Sequence, residues 1–345
     1  MIKIDIDERK WKKIKEKHSE WYSDNILPNI RNAYEFIESQ KSKSYSMKKY
    51  LELLKKIIDK GKDFIVQKEL FLDYENKEID KIIKIMKKKN KKSKSILEIR
   101  FEKLNISEEY LPNQLFCYKK LQIGNKDWNR HKLLSLIGIE ICPYCQRNYI
   151  SSYEENNDKK TTADLDHFYP KSLYPFLALS LYNFIPSCQI CNSRFKGNKD
   201  TRDFVYLYEK GFDELGVKFR TSKEVISETL GERYSDFYVK IDYENLKNKE
   251  DGEKVKNSIE NLGLDRVYKK SHNQYIQNLL YNIEKYPENY LENCVEMFES
   301  DVDKKKRLEE YFKDIVKEPY RKRIENGEPL AKLTKDILEE FDIKI

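Results

Sequence analysis

The sequence predicts an α+β fold that is mostly helical, and three observations carry that expectation. Apolar residues recur at helical spacing in the first third and again toward the C-terminal end; one short stretch alternates as a strand does; two Cys-x-x-Cys pairs frame a folded excursion near the middle. A chain of 345 residues can bury a core for each part. The division that follows is a helical N-terminal region over 1–130, a cysteine-framed module over 131–200 and a C-terminal α/β-to-helical region over 201–345.

In the first region Met47, Tyr50, Leu51, Leu54, Ile57 and Ile58 mark one face of a helix, with Ser46 as its expected N-cap and Gly61 as its stop. A second helical stretch covers Ile79–Met86 and runs into the basic segment Lys87–Lys94, which reads as a solvated surface or as a phosphate-contacting loop. After the central module, Phe237, Val239, Ile241 and Tyr243 alternate as a half-buried strand, with Val217–Phe219 as its partner after a turn at Gly216. Two helices follow. Tyr275, Ile276, Leu279, Leu280 and Ile283 face inward on one; Leu308, Tyr311, Phe312, Ile315 and Val316 do so on the other, which is expected to break before Pro319.

Composition bounds the function. Hydrophobic residues make up 39% and charged residues 37%, and no window approaches the run of about 18 apolar residues that spans a bilayer. The segment Met1–Trp11 lacks the apolar core of a secretory signal, so the cytoplasm is the expected compartment. A net charge of +7 suits a polyanionic partner, because covering phosphates releases condensed counterions; a low-GC codon bias would enrich lysine equally well. Six cysteines are too few for a disulfide scaffold, and Cys117 and Cys294 stand alone in apolar surroundings as buried structural thiols.

The remaining four cysteines carry the strongest signal. Cys142-Pro143-Tyr144-Cys145 and Cys188-Gln189-Ile190-Cys191 are separated by 42 residues and supply four thiolates, the ligand set of a tetrahedral structural zinc. A redox dithiol needs only one such pair. A closed four-thiolate site has no open position, so this zinc would hold the module together and leave chemistry to other groups. Between the pairs lies Asp164-Leu165-Asp166-His167-Phe168-Tyr169-Pro170-Lys171-Ser172, and Asn192-Ser193-Arg194-Phe195-Lys196-Gly197 follows the last cysteine. Asp166 and Asn192 offer oxygens to a hard cation, and His167, one of four histidines, can exchange a proton near neutrality. Asp164, two residues before Asp166, shares its strand face as a substitute or supporting carboxylate. Lys171, Arg194 and Lys196 are either phosphate-gripping or simple surface cations. Tyr144, Phe168, Tyr169, Tyr174, Phe176 and Phe184 read as the module's core.

Taken together, C-x-x-C, D-H-x-x-P-K-S, an internal Asn183 and C-x-x-C-N resemble the HNH, or ββα-metal finger, nucleases over roughly 60 residues. The resemblance implies a β-hairpin and the start of a helix around one catalytic divalent ion, in a treble-clef-like frame stapled by zinc. It further implies Asp166 and Asn192 as metal ligands, His167 as general base and Asn183 as the residue that orders the loop behind it. Oxygen ligands favour Mg²⁺ or Mn²⁺. Many members carry histidine where this chain has Asn192, which leaves the choice of metal open. The stretch Tyr174–Cys188 is similar to HNH proteins of Septu-like and retron-linked anti-phage defence systems, some of which work beside an ABC-type ATPase. The implied activity is an endonuclease acting on nucleic acid, with DNA favoured; the alternative is a non-catalytic zinc-dependent module that binds nucleic acid or protein, or an adapter for a defence ATPase.

Overall fold

The computed structural model describes residues 1–68, 94–155, 158–223, 237–244, 246, 248–285 and 302–344. The helical stretch expected over Ile79–Met86, the basic run up to Ser93, and Cys294 lie outside them, as do the side chains of Leu308, Tyr311, Phe312, Ile315 and Val316. The fold is α+β, mostly helical, with small antiparallel sheets of two strands each. Among the described residues, no helix is long and apolar enough to cross a membrane. The chain forms two compact units, one of Ile4–Glu140 and Ile150–Tyr208, the other of Met1–Lys3, Ile141–Tyr149 and Glu209–Ile345.

The first unit contains helices α1 (Glu8–Asn25), α2 (Leu27–Glu38), α3 (Tyr45–Lys60), α4 (Ile96–Lys103) and α5 (Arg130–Ile137). It also contains two hairpins, β1 (Ser152–Glu155) with β2 (Asp158–Thr161) and β3 (Ala163–His167) with β4 (Phe184–Cys188), and then a π-type helix, π1 (Ile190–Lys196). Helix α1 starts where the Asp7 carboxylate accepts the amides of Arg9 and Lys10, both at 3.1 Å. It buries Ile14, His18, Trp21 and Tyr22 and leaves most of its lysines outward. Helix α3 buries Met47, Tyr50, Leu54 and Ile57 and ends at Gly61, whose φ of 55° suits a residue without Cβ. Its N-cap is Ser44, not Ser46: Ser44 Oγ accepts the Met47 amide at 3.4 Å, which places Ser46 inside the first turn. Two serines two residues apart offer the same local chemistry, and the side chain that reaches an amide three residues on becomes the cap.

His18 ties α1 to the loop behind β3. Its Nε2–H donates to the Leu179 carbonyl at 2.8 Å, and its Nδ1 accepts from the Trp128 indole at 3.0 Å. Both bonds require the neutral ring. Burial outweighs the carbonyl's pull and holds the pKa down at about 4.

The second unit packs β5 (Lys218–Thr221) and β6 (Val239–Asp242), paired antiparallel with Phe219 opposite Ile241, against α6 (Lys249–Asn261), α7 (Leu264–Ser271), α8 (Asn273–Lys285), α9 (Val302–Glu325) and α10 (Ala331–Glu340). Phe219, Val239, Tyr268, Ile276, Leu280 and Ile337 are central to its core. The sheet edge is closed from α10, where the buried Asp336 carboxylate accepts the Phe219 amide at 2.8 Å. Helix α9 does not break before Pro319 but carries it inside and stops at Gly327, φ 61°. Proline's φ is already helical and its loss is one backbone bond, while Tyr320 and Ile324 beyond it pack on the core. The turn holding Cys142 and Cys145 is anchored in this unit: the Tyr268 hydroxyl donates to the Cys145 carbonyl at 2.7 Å and the Leu330 amide to that of Gln146 at 2.8 Å.

A folded-state pKa below the unfolded 6.5 means that the unfolded chain takes up the proton first as pH falls. His18 stability is therefore complete above about pH 6.5 and lost toward pH 4, a change of about 3 kcal/mol. Burial shifts His167 and His272 the same way, so the His18 share is read as the difference between wild type and His18→Gln in urea titrations across that range. A wild-type profile parallel to that of the variant would refute the assignment.

Candidate active site and metal centre

Cys142, Cys145, Cys188 and Cys191 are buried, free of disulfides, and have sulfur atoms that all lie within 4.8 Å of one another. A tetrahedron with Zn–S bonds of about 2.3 Å has edges of about 3.8 Å, so four soft thiolates at this spacing can bind one zinc ion. The local backbone prepares them. The Gln146 amide closes the first turn on the Cys142 carbonyl at 2.8 Å, with Gln146 at φ 53°, and the Cys142 amide donates to the Asn148 carbonyl at 3.0 Å. Asn148 Nδ2 reaches Cys145 Sγ at 3.9 Å and the Cys191 amide reaches Cys188 Sγ at 3.5 Å, which favours the charged sulfur. Cys117 stands apart and is half-buried, more open than the buried thiol its neighbours suggest, because it sits at the turn leading to Lys119.

The hairpin sets the rest of the site. Its register pairs Ala163 with Cys188, Asp164 with Ser187, Asp166 with Ile185 and His167 with Phe184. Asp164 and Asp166 share a strand face by the two-residue period, and both line a polar cavity of about 330 Å³. His167, Lys171, Asn192 and Lys196 line it too. In π1 the Gly197 amide bonds the Asn192 carbonyl five residues back, at 2.8 Å, and Asn192 and Lys196, four residues apart, both line the cavity.

His167 is 7% exposed, edge-on to Tyr118 and Phe184 with ring centroids 4.7 and 5.3 Å away. Its Nε2 lies 3.0 Å from the Ala178 carbonyl, which can only accept, so Nε2 carries the proton and the lone pair sits on Nδ1. Nδ1 makes no hydrogen bond to the described residues. Burial, reinforced by Lys171, holds the pKa at about 3, which keeps the ring neutral at physiological pH. Behind it Asn183, fully buried, accepts the Tyr169 amide at 2.7 Å and donates to the carbonyls of Tyr169 and Leu177 at 3.1 and 2.9 Å. It holds the loop that returns from His167.

Asn192 Nδ2 donates to Asp164 Oδ2 at 2.9 Å, which turns its amide oxygen away from that carboxylate. Lys196 differs from a surface cation: 1% exposed, it donates to Asp166 Oδ1 at 3.0 Å and to the His167 carbonyl at 2.6 Å. A carboxylate only 3% exposed needs such a counter-charge. Lys171 stays at the rim, its ammonium 5.1 Å from the centre of the Tyr118 ring, while Arg194 is exposed and does not line the cavity. The structure adds Tyr118 and Arg130, which no motif marks. Burial pushes the Tyr118 hydroxyl well up, and Arg130 beside it opposes that shift. That Arg130 begins a helix is legible from Asn129, whose side chain caps α5; which way it faces is decided by packing.

Over 100 residues, 28% of this chain, the sequence is 31% identical to the Septu protein PtuB of Bacillus thuringiensis, and the match spans 34% of that protein's length. No family model and no solved structure matches the chain.

Two measurements test the site's construction. Elemental analysis should find one zinc per chain in wild type and in Cys117→Ser, and less than half an equivalent in Cys188→Ser, which should also lose about 4 kcal/mol or more of stability; full zinc in Cys188→Ser would rule the cluster out. Lys196→Met should cost about 3 to 5 kcal/mol by removing the cation paired with buried Asp166, with much of the loss recovered in Lys196→Met/Asp166→Asn. Additive losses in that cycle would show that the pair is not coupled.

Proposed function

We propose that this chain is a metal-dependent endonuclease of the HNH type, hydrolysing phosphodiester bonds in nucleic acid, with DNA the favoured substrate. The observation that carries the reading is His167: a neutral imidazole whose Nε2–H is spent on a backbone carbonyl, which leaves the lone pair on Nδ1, on a residue that lines the same cavity as two carboxylates and an asparagine. In this reading His167 Nδ1 takes a proton from water as the water oxygen bonds to phosphorus and the ester oxygen departs. Asp166 and Asn192, with Asp164 beside them, are a hard-oxygen donor set suited to Mg²⁺ or Mn²⁺. Such an ion supplies counter-charge for the crowded phosphate and the departing oxygen. Asn183 keeps the His167 loop in place, Lys171 and Arg130 meet neighbouring phosphates, and Lys196 positions Asp166. The four-cysteine zinc is structural.

The partial likeness to PtuB and the motif resemblance support a place in anti-phage defence, in which the chain works beside an ABC-type ATPase. Its activity is then released or aimed by that partner.

Plasmid nicking by the purified chain is the direct test, with added Mg²⁺ or Mn²⁺ and the candidate ATPase present or absent. His167→Ala should cut roughly a thousandfold more slowly at unchanged zinc content. Equal rates in wild type and variant would end the mechanism, and binding without cleavage under every condition would favour a non-catalytic zinc module.

A further inference from the structure

A second cavity, of about 270 Å³, opens beside the first turn of α5. Lys13 and Lys17 line it from α1, Lys132 and Leu136 from α5, Tyr153 from β1, and Trp128 from the segment before α5. Its lining is mainly apolar, yet three ammonium-bearing chains converge on it. Lys13, Lys17 and Lys132 form no ion pair with the described residues. Cations gathered around an apolar cleft repel one another, and a polyanion with flat apolar parts relieves both the charge and the exposed surface. Tyr153 remains 50% exposed there, with its ring available to a second planar group.

This cavity is linked to the candidate active site through consecutive residues: Arg130 lines the catalytic cavity, and His131 and Lys132 line this one. Adjacent residues of one helical turn thus border the two cavities. We propose that the cleft is a binding subsite for single-stranded nucleic acid, in which an unstacked base packs on Tyr153 and its flanking phosphates contact Lys13, Lys17 and Lys132. The proposal deepens the nuclease reading and rests on it for the strand's destination. Single strands are specified because a duplex hides its base faces in its own stack, whereas the cleft presents an aromatic face to receive one.

The test is fluorescence anisotropy with the full, zinc-loaded chain and a labelled 20-nucleotide single strand, as DNA and as RNA, against the matching duplex. No divalent ion is added, so that nothing is cut. Tyr153→Ala should weaken single-strand binding about tenfold or more and leave duplex binding unchanged, with Tyr153→Phe close to wild type. Replacing Lys13, Lys17 and Lys132 by Gln should lower the slope of log affinity against log salt by about 2, whereas Lys55→Gln/Lys56→Gln on α3 should not change it. The Tyr153 variants, at a half-exposed position, keep the question answerable if the triple variant unfolds. Unchanged affinity in Tyr153→Ala, equal preference for duplex, or equally effective competition by poly-glutamate would overturn the subsite. Plasmid nicking reports separately: cutting with no effect of these substitutions removes the subsite alone, and single-strand binding lost in the variants without any cutting removes the nuclease alone.

Discussion

Three consecutive carbonyls, those of Leu177, Ala178 and Leu179, each receive a side-chain N–H, from Asn183, His167 and His18 respectively. A carbonyl cannot donate, so this one turn fixes both histidines with hydrogen on Nε2 and directs the other nitrogen of each elsewhere. For His18 the other nitrogen is used by Trp128 and holds α1 in place. For His167, a residue that lines the cavity, the other nitrogen makes no hydrogen bond to the described residues. The same backbone turn thus serves as a structural anchor on one side and sets the tautomer of His167 on the other. All three donors are buried; the Leu177 carbonyl also receives the Ser180 amide at 3.0 Å, so losing His167 or His18 costs a carbonyl its partner more completely than losing Asn183 does.

The charge pattern at the cavity follows from that dryness. Asp166 is almost wholly enclosed and is neutralised by Lys196, while Asp164 is more open and shares a hydrogen bond with a neutral amide. Two carboxylates on one strand face therefore hold different partners. Cations at the rim, Lys171 and Arg130, add a positive border to an acidic floor, an arrangement that tolerates a phosphate better than either charge alone.

Much of this is legible from spacing, because it is local. The paired cysteines, the strand period that joins Asp164 to Asp166, the stop at Gly61 and the pairing of β5 with β6 depend on residues a few positions apart or on a clear alternation. What spacing cannot reach is decided by the tertiary environment. Lys196 looks like any surface lysine until Asp166 is buried against it; Tyr118 and Arg130 come from a segment distant in sequence with no motif of its own; α9 continues past Pro319 because Tyr320 and Ile324 have a core to join. The choice of Ser44 over Ser46 is a competition between neighbours that sequence alone leaves even.

The widened helix after Cys191 has a bearing on what Asn192 can offer a ligand. Asn192 and Lys196 are four residues apart, a spacing that an α-helix also puts on one face, so their shared position does not depend on the wider turn. The five-residue bond from Gly197 acts at the end of the segment, where it occupies the Asn192 carbonyl and leaves that residue's side chain as the only part of it still able to take a ligand.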